Sequence, residues 1–411
     1  MSPPLDSPTD WTALGTEQLA DVIALRRAIH AEPEMGLHCP LTTAKAKAAL
    51  AGLPLEIYDG TRTTGFVAIL RGGRSDGDAG SNARTVLLRG DMDALPISEE
   101  TGLPFASTLP GTMHACGHDA HTAMLVGAAK ALAKRRDQLA GTVVFMFQPG
   151  EEGHHGAREM IADGLLDRAR PDAAFALHVL PNAPAGVFLG REGALLASTD
   201  TVRATVRGRG GHAAMPHDAI DPIPVACAIV TALQQHVARR VPVADPAVLT
   251  ITQIHAGASH NIIPDEVQLA GTLRTLSPGT RAAMRAAFHQ VACGVAEAHG
   301  CTVESSIDEG YPVTMNDPRA TRLMRTLAEE IGGAGGWATM PAPIMGGEDF
   351  SYVLRELPGA IAFVGAATPG STPETNPPLH NPRMTIDEQV FAKGVAMHCA
   401  LAERFLERGF D

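Results

Sequence analysis

Between residues 85 and 179 the sequence alternates strand and helix patterns, and this alternation constrains the fold more than any other feature. Apolar runs at 85–89, 142–148 and 173–179 predict buried strands, and helical apolar spacing at 120–136 and 156–167 predicts the helices between them. Strands that alternate with helices of this length form a mostly parallel sheet flanked by helices. Ligands bind beyond the carboxyl ends of such strands, so chemically active side chains are expected there.

A different order of elements follows and predicts a second domain inserted into the first. The order strand, helix, strand, strand, helix, strand is that of a ferredoxin-like α+β unit. Its patterns lie at 201–207, 222–239, 248–255, 267–276, 281–299 and 302–307. We therefore predict an inserted domain at 197–308 and a discontinuous α/β domain formed by 1–196 and 309–411. Two domains are also expected from the length of 411 residues.

Composition excludes several classes of protein. The chain is 45% hydrophobic and 19% charged with a formal charge of -12, which argues against nucleic acid or an anionic membrane as the main partner. No apolar run is long enough to span a bilayer. Residues 1–6 lack the basic and apolar regions of a signal peptide, and the six cysteines have no framework spacing, so a cytoplasmic location is expected. The Gly/Ser/Asp-rich segment 71–83 is predicted to be a surface loop.

The segment 112–121 concentrates potential metal ligands. It holds one thiol, one carboxylate and three imidazoles, and Cys116 and His118 flank a glycine that lets both side chains reach one ion. Thiolate and imidazole bind zinc and other late divalent ions. Taken alone, the segment could equally be a helix start with solvent-facing histidines. We predict that Asp119 caps the following helix, and that His114 and His121 support the site or the helix cap rather than bind metal.

Four separate strand ends or loops supply five potential ligands in total, which are Cys116, His118, Glu152, His178 and His380. Five exceed the needs of one tetrahedral ion but suit two ions that share a ligand. If 151–152 is extended, Glu152 can bind metal while Glu151 points the other way and acts as general base for a metal-bound hydroxide. Asp91 and Asp93 follow the first strand of the alternation and could orient the ligating imidazoles.

Seven ordered motifs resemble the aminoacylase and hippurate hydrolase family of dinuclear metallo-amidohydrolases, over nearly the whole chain. They are HAEPEMG at 30–36, GDMDALP at 90–96, HACGHD at 114–119, QPGEEG at 148–153, GHAAMPH at 211–217, NIIP at 261–264 and LHNP at 379–382. Within the family, the chain is similar to the bacterial N-acyl-L-amino acid amidohydrolases and to the plant enzymes that cleave indole-acetyl amino acid conjugates. His154-His155 departs from the small residues usual after the family's Glu-Glu-Gly, here 151–153, and an exposed loop position is expected for both.

The resemblance implies a metallo-aminopeptidase-like catalytic domain, a lid and dimerisation domain, and hydrolysis of N-acyl (aroyl or acetyl) L-amino acids. By it, the same five residues bind two divalent ions, manganese or zinc with cobalt or nickel as alternatives, and Glu151 is the general base. His212 matches the lid histidine that stabilises the oxyanion. Asn261 and Arg274 match positions that hold the substrate carboxylate. Glu348 lies in a loop that lines the cleft, where it is predicted to bind substrate, with a merely supporting role as the alternative. A homodimer or homotetramer is implied, with a small-molecule substrate.

Other interpretations of the same residues remain open. Arg274 could be a solvated charge at a strand end, His212 could lie in a flexible turn, and His30 is expected to be structural. A cysteine hydrolase with Cys116 as nucleophile would leave most of the other candidate ligands without a role. A binding protein without turnover, and a dipeptidase or N-acetyl-diaminopimelate-type deacetylase of the same family, are further alternatives.

Overall fold

The computed structural model describes residues 9–74, 83–372 and 374–411. Residues 1–6 and most of the predicted loop 71–83 lie outside these ranges. The helices of the described residues are α1 (Trp11–His30), α2 (Pro40–Leu50), α3 (His118–Lys134), α4 (Gly156–Ala162), α5 (Leu165–Ala169), α6 (Pro222–Arg240), α7 (Pro278–Ala298), α8 (Pro318–Gly332), α9 (Ser351–Glu356) and α10 (Phe391–Arg408). None of them combines the length and hydropathy needed to cross a membrane.

The strands of the same residues form one large sheet, one four-stranded sheet and two short pairs. In chain order they are β1 (Glu56–Asp59), β2 (Phe66–Arg71), β3 (Thr85–Asp91), β4 (Thr142–Gln148), β5 (Ala173–Leu180), β6 (Phe188–Gly190), β7 (Gly193–Leu196), β8 (Asp200–Arg207), β9 (Gly211–His212), β10 (Ala247–Ala256), β11 (Ile262–Ile263), β12 (Glu266–Thr275), β13 (Thr302–Glu309), β14 (Thr314–Asn316), β15 (Trp337–Thr339) and β16 (Gly359–Gly365).

The chain divides into two compact units. The first comprises Met1–Gly193, Met315–Pro341 and Tyr352–Asp411, and the second comprises Ala194–Thr314 and Ala342–Ser351. The second unit thus contains the predicted insertion 197–308 and, in addition, the segment 342–351.

The first unit is built on an eight-stranded sheet of order β1-β2-β4-β3-β5-β16-β6-β15. Its centre is parallel, since β3 pairs in parallel with β4 and β5, and β5 with β16. Antiparallel pairing flanks this centre, where β2 meets β4 and β6 meets β16. The strands β3 and β16 are buried at every position because both faces of the sheet are covered. The predicted α/β class, with a central mostly parallel sheet flanked by helices, is confirmed.

Helix α3 is the most deeply buried helix of the first unit and begins at the metal-ligand motif. Most of its residues are inaccessible to solvent, and their apolar side chains join a core cluster that also includes residues of α1, α8 and α10. This burial fixes the position of the first turn of α3, since a close-packed interior leaves little room for displacement.

The second unit has the predicted ferredoxin-like order of elements, β8-α6-β10-β12-α7-β13. Its antiparallel sheet has the strand order β10-β12-β8-β13. Buried and accessible residues alternate along β8 and β12, so one face of this sheet packs on a core that includes residues of α6 and α7.

Two local predictions are wrong. Helix α3 begins at His118, and its N-cap is Gly117 with φ 85° and no side-chain cap, so Asp119 lies in the first turn and does not cap the helix. The single helix predicted at 156–167 is two helices, α4 and α5, because Gly164 between them adopts φ 85° and interrupts the helical backbone.

Candidate active site and metal centre

The carboxyl ends of three neighbouring parallel strands bring acidic and imidazole side chains to one edge of the first sheet. Asp91 ends β3 and pairs in register with Gln148, the last residue of β4. The glutamate pair 151–152 follows β4 after two residues. His178 lies near the end of β5, on the other side of β3. Parallel pairing therefore converts three distant stretches of sequence into one cluster, as expected at the edge of such a sheet.

Within the first unit, the five predicted ligands form two groups that share one sulfur. In each group one donor atom from every member lies within 4.8 Å of the others. The groups are Cys116 with His118 and His178, and Cys116 with Glu152 and His380. The Sγ atom of Cys116 lies 3.5 Å from Nε2 of His178 and 3.3 Å from Nε2 of His380. Thiolate, imidazole and carboxylate donors at such spacing suit zinc, manganese, cobalt or nickel.

His118 provides an independent test of whether a metal ion fits this site. Its side chain is buried, yet among the described residues neither ring nitrogen has a hydrogen-bond partner. The Oε1 atom of Glu152 is buried and also has no hydrogen bond, and it lies 3.9 Å from Nε2 of His118 and 3.4 Å from Nε2 of His380. Buried polar atoms are nearly always hydrogen-bonded, so this group of unsatisfied donor atoms suits a bound ion. The residues fit a metal site.

The ring of His178 is held in the tautomer that a ligand needs. Its Nδ1–H donates to the carbonyl oxygen of Val179 at 2.7 Å, so Nε2 keeps a lone pair and faces the sulfur of Cys116. Burial, followed by the neighbouring His121, lowers the pKa of His178 well below its ordinary value. The imidazole therefore stays neutral, which is the form that binds metal.

His380 adopts a backbone conformation that a non-glycine residue rarely takes, with φ 63°. Its backbone N–H donates to the carbonyl oxygen of Ala115 at 2.7 Å, and its Nε2 lies 3.4 Å from Oε1 of Glu152. A strained backbone conformation of this kind tends to occur at functional sites, where the surrounding structure holds it in place. Contacts of its side chain with Cys116 and Glu152 raise the pKa of His380 to about 10.

His121 lies beside the ligand groups, but both of its ring nitrogens are already used. Its Nδ1–H donates to Oδ1 of Asp91 at 2.6 Å, and its Nε2 accepts from the backbone N–H of Val179 at 2.8 Å. The other oxygen of Asp91 binds Arg89 at 2.5 Å and lies 3.5 Å from Nε2 of His118. These contacts agree with the prediction that His121 and Asp91 support the ligating residues, as outer partners that orient ligands do.

The glutamate pair does not have the extended geometry on which its prediction depended. Residues 151–153 form a turn, and the carboxylates of Glu151 and Glu152 each place an oxygen within 4.8 Å of a nitrogen of His118 and of each other. The turn is held by Asp93, whose two carboxylate oxygens accept the backbone N–H groups of Glu151 at 2.9 Å and Glu152 at 3.0 Å. Asp93 thus sets the position of both glutamates.

The position of Cys116 bears on whether it is a metal ligand or a thiol nucleophile. Its side chain is buried, and burial raises the pKa of the thiol above its ordinary value. Its sulfur belongs to both ligand groups, which also contain His178, Glu152 and His380. This shared position favours Cys116 as a metal ligand, because the cysteine hydrolase alternative gives those three residues no role.

In the second unit, the short pair β9–β11 brings two predicted residues together. His212 is the register partner of Ile262, and the backbone N–H of Ala213 donates to the carbonyl oxygen of Asn261 at 3.1 Å. Both His212 and Asn261 are exposed. The Nδ1 atom of His212 accepts from the backbone N–H of Ala214 at 3.0 Å, which leaves its proton on the outward Nε2.

Arg274 and Glu348 also lie in the second unit. Arg274 is half-buried on β12, and its Nε donates to Oγ1 of Thr272 at 3.1 Å. Burial lowers its pKa from the ordinary arginine value. Glu348 is buried, and its carboxylate accepts the backbone N–H of Phe350 at 2.8 Å, a contact within its own loop.

The two histidines after the glutamate pair differ in environment. His154 is exposed, and its ring lies over Gly36, where an added Cβ would come within 3.3 Å of its Nε2. His155 is half-buried with φ 58° at the N-cap of α4, and its Nδ1 lies 2.9 Å from the hydroxyl of Tyr352. The predicted exposed loop position is therefore confirmed for His154 and wrong for His155.

One set of buried charges was not anticipated as part of the site. Arg26 on α1 pairs with Asp119 at 2.7 Å, and His30 contacts the same carboxylate oxygen at 2.7 Å. A sequence signal for this set exists. Arg26 and His30 are four residues apart on α1 and share the helix face of the apolar Val22 and Ile29, so their burial could have been predicted.

Comparison with known proteins decides the family. The profile of peptidase family M20/M25/M40 matches residues 87–404, which is more than half of the chain. The chain belongs to this family. The predicted resemblance to dinuclear amidohydrolases of the aminoacylase and hippurate hydrolase type is thereby confirmed, and the chain is a hydrolase that acts on amide or peptide bonds.

Three known proteins are similar to the chain over nearly its full length. N-acetylcysteine deacetylase of Bacillus subtilis is 38% identical, covering 94% of this chain and 97% of that protein. IAA-amino acid hydrolase ILR1-like 4 of Arabidopsis thaliana is 35% identical, covering 94% and 86%. A Bacillus subtilis crystal structure, a dinuclear metal binding peptidase of family M20, superposes with a TM-score of 0.81 at 33% identity and covers 96% of this chain and 99% of that one.

Proposed function

We propose that this M20 protein is a two-metal amidohydrolase that releases the amino acid from N-acyl L-amino acids, with hippurate-like and N-acetyl compounds as its substrate class. The observation that carries the proposal is the donor arrangement, in which two ligand groups share Cys116 and a further carboxylate, Glu151, lies beside them. Similar proteins whose names specify an N-acetyl or an indole-acetyl amino acid support this substrate class.

The two ligand groups suggest how the ions would be divided. Cys116, His118 and His178 would hold one ion, and Cys116, Glu152 and His380 would hold the other, with the thiolate as the shared ligand. When bound, two such ions polarise the acyl carbonyl and lower the pKa of water. The mixed donor set suits manganese or zinc, with cobalt and nickel as alternatives.

Glu151 is proposed as the general base. Its carboxylate would accept the proton of the attacking water and pass it to the nitrogen of the leaving amino acid as the C–N bond breaks. Asp93 holds the backbone of this turn through two hydrogen bonds, so the carboxylate is positioned before substrate binds.

Three residues of the second unit are proposed to act on substrate. His212 presents an outward Nε2–H, a donor suited to the oxyanion of the tetrahedral intermediate. Arg274 offers a forked guanidinium and Asn261 an exposed amide, both suited to the substrate carboxylate. For Glu348 we propose a supporting role in its loop, because its carboxylate binds the backbone of Phe350.

The proposed function is tested by turnover on a panel consisting of hippurate, N-acetyl amino acids, an indole-acetyl amino acid, N-acetyl-diaminopimelate and a dipeptide. Protein stripped with chelator should be inactive, and manganese or zinc should restore hydrolysis of the N-acyl compounds. Preference for the dipeptide or for N-acetyl-diaminopimelate would favour the alternative activities of the family. Turnover that survives chelation would contradict a metal mechanism, and bound metal without turnover on any member would leave a binding protein.

A homodimer formed through the second unit is a further part of the proposal. Strand β10 is an edge of its sheet, and from Thr252 to Ala256 every residue is exposed, so none of the described residues covers either face of this half. Ile254 is 51% exposed and Val248 42%. An exposed apolar edge of this kind is usually covered by a partner.

Light scattering should therefore give at least twice the monomer mass of 43.0 kDa. Ile254→Lys should shift the protein towards the monomer because a charge is placed at the proposed contact. A wild-type protein that is monomeric at micromolar concentration would contradict this part of the proposal.

A further inference from the structure

A cluster of charged side chains, here called the α1 charge cluster, joins helix α1 to the start of α3. Its members are Arg26, His30, Glu99, Asp119 and Glu388. Arg26 binds Oδ2 of Asp119 at 2.7 Å through Nε and Oε1 of Glu388 at 3.3 Å through Nη1. His30 binds the same Oδ2 at 2.7 Å through Nδ1, and Oε1 of Glu99 lies 3.2 Å from its Nε2.

The cluster is almost fully removed from solvent. The side chains of Arg26, His30 and Asp119 are 2%, 0% and 0% exposed, and that of Glu99 is 4% exposed. Each ring nitrogen of His30 faces a carboxylate oxygen. Burial opposes the charged form, but the carboxylates of Asp119 and Glu99 raise the pKa of His30 above its ordinary value. Arg27 binds Glu388 at 2.5 Å from the exposed edge of the cluster.

The stability of the fold does not by itself explain why these charges are buried together. Removing charges from water costs free energy, and well-packed apolar residues of similar volume often stabilise a fold equally well or better. Buried ion clusters can instead hold chain segments in one defined arrangement. The segments joined here are therefore informative.

Two of the segments that the cluster joins carry proposed metal ligands. Asp119 directly follows His118 and lies in the first turn of α3, three residues after Cys116. Glu388 lies in the segment that follows His380. The loop of Glu99 contacts that segment too, because the backbone N–H of Glu100 donates to the carbonyl oxygen of Pro382 at 2.8 Å. The bond from the His380 N–H to the Ala115 oxygen joins the two ligand-bearing segments directly.

We propose that Arg26 and His30 are positioning residues for the metal centre, which they act on through Asp119 and Glu388. They hold the 114–119 segment and the 380–388 segment in the arrangement that brings the Cys116, His118 and His380 donors together. This inference rests on the proposed function, because it assumes that these residues bind metal. Outer partners of metal ligands commonly change metal affinity about 10–100-fold when they are replaced.

The test compares Arg26→Met with Arg26→Lys and measures binding of Co²⁺ to metal-free protein by the thiolate-to-cobalt absorption band. Methionine keeps the apolar stem but removes the fork that reaches Asp119 and Glu388, so the dissociation constant should rise about 10–100-fold. Lysine keeps the charge but not the fork, so Arg26→Lys should recover part of that loss. His30→Gln should weaken Co²⁺ binding in the same direction.

Arg135→Met is the matched control, since Arg135 adjoins the other end of α3. Its guanidinium binds Glu403 at 2.7 Å and the hydroxyl of Thr9 at 2.7 Å, and it is also largely shielded from solvent. This variant removes an arginine from the same helix region without reaching a ligand-bearing segment. It should lower the melting temperature of the protein while Co²⁺ affinity stays at the wild-type value.

Melting curves with and without Co²⁺ separate positioning from a general loss of stability. A positioning role predicts that the stabilisation by metal shrinks in Arg26→Met. If Arg26→Met lowers the melting temperature equally with and without Co²⁺ and binds Co²⁺ with wild-type affinity, the inference is wrong and the proposed function still stands. If Arg26→Met does not fold, the same two measurements on Arg26→Lys decide the question. Wild-type protein that binds no Co²⁺ would instead overturn the proposed function itself, and the inference with it.

Discussion

Replacement of Glu151 by glutamine is expected to lower kcat about 10²–10⁴-fold while both metal ions stay bound. Glutamine has nearly the same shape as glutamate but cannot accept a proton at neutral pH, so the general base is lost without opening a cavity. The backbone of the turn is held by Asp93 through main-chain N–H groups, and these hydrogen bonds do not depend on the side chain at 151. Steady-state kinetics and metal content by mass spectrometry measure the two expectations separately.

The matched control is Glu152→Gln, the same chemical change one residue later. Glu152 belongs to a ligand group with Cys116 and His380, so this variant should lose affinity for one of the two ions. Its activity should return in part at high metal concentration, whereas that of Glu151→Gln should not. A Glu151→Gln protein with near-normal kcat would show that another group transfers the proton.

The fold was predictable because its elements follow hydrophobic periodicity. Strand β4 has the predicted bounds 142–148, since both faces of the sheet are covered and the strand is a continuous apolar run. The order of strands within the sheet does not follow from the same pattern. β3 lies between β4 and β5, although it precedes both in the chain, and this arrangement depends on how the helices cross over.

Two of the five proposed ligands, Glu152 and His178, lie at or near the carboxyl ends of parallel strands, and that position was predictable from sequence. The features of the site that could not be predicted from sequence depend on contacts between distant parts of the chain. Asp119 fits the pattern of an N-cap, but its carboxylate binds Arg26 and His30, which precede it by some ninety residues. Likewise, the turn at 151–153 depends on Asp93, which receives both glutamate N–H groups, and no local pattern marks that contact.

Replacement of Cys116 by alanine is expected to empty the metal centre and, through that loss, to abolish turnover. The sulfur of Cys116 is the one donor that belongs to both ligand groups, so its removal leaves each ion one ligand short. Loss of a direct ligand should exceed the roughly 10–100-fold effect of an outer partner, so little metal should remain after dialysis. Metal content after gel filtration measures this outcome without any assumption about substrate.

Cys399→Ala is the matched control for Cys116→Ala, because Cys399 is also a buried cysteine of the first unit but lies on α10 and belongs to neither ligand group. It should retain its metal and its turnover, with at most a modest loss of stability from the small cavity. The pair also separates two roles for the thiol. A nucleophilic Cys116 predicts an inactive variant that still holds both ions, whereas a ligating Cys116 predicts that metal and activity disappear together.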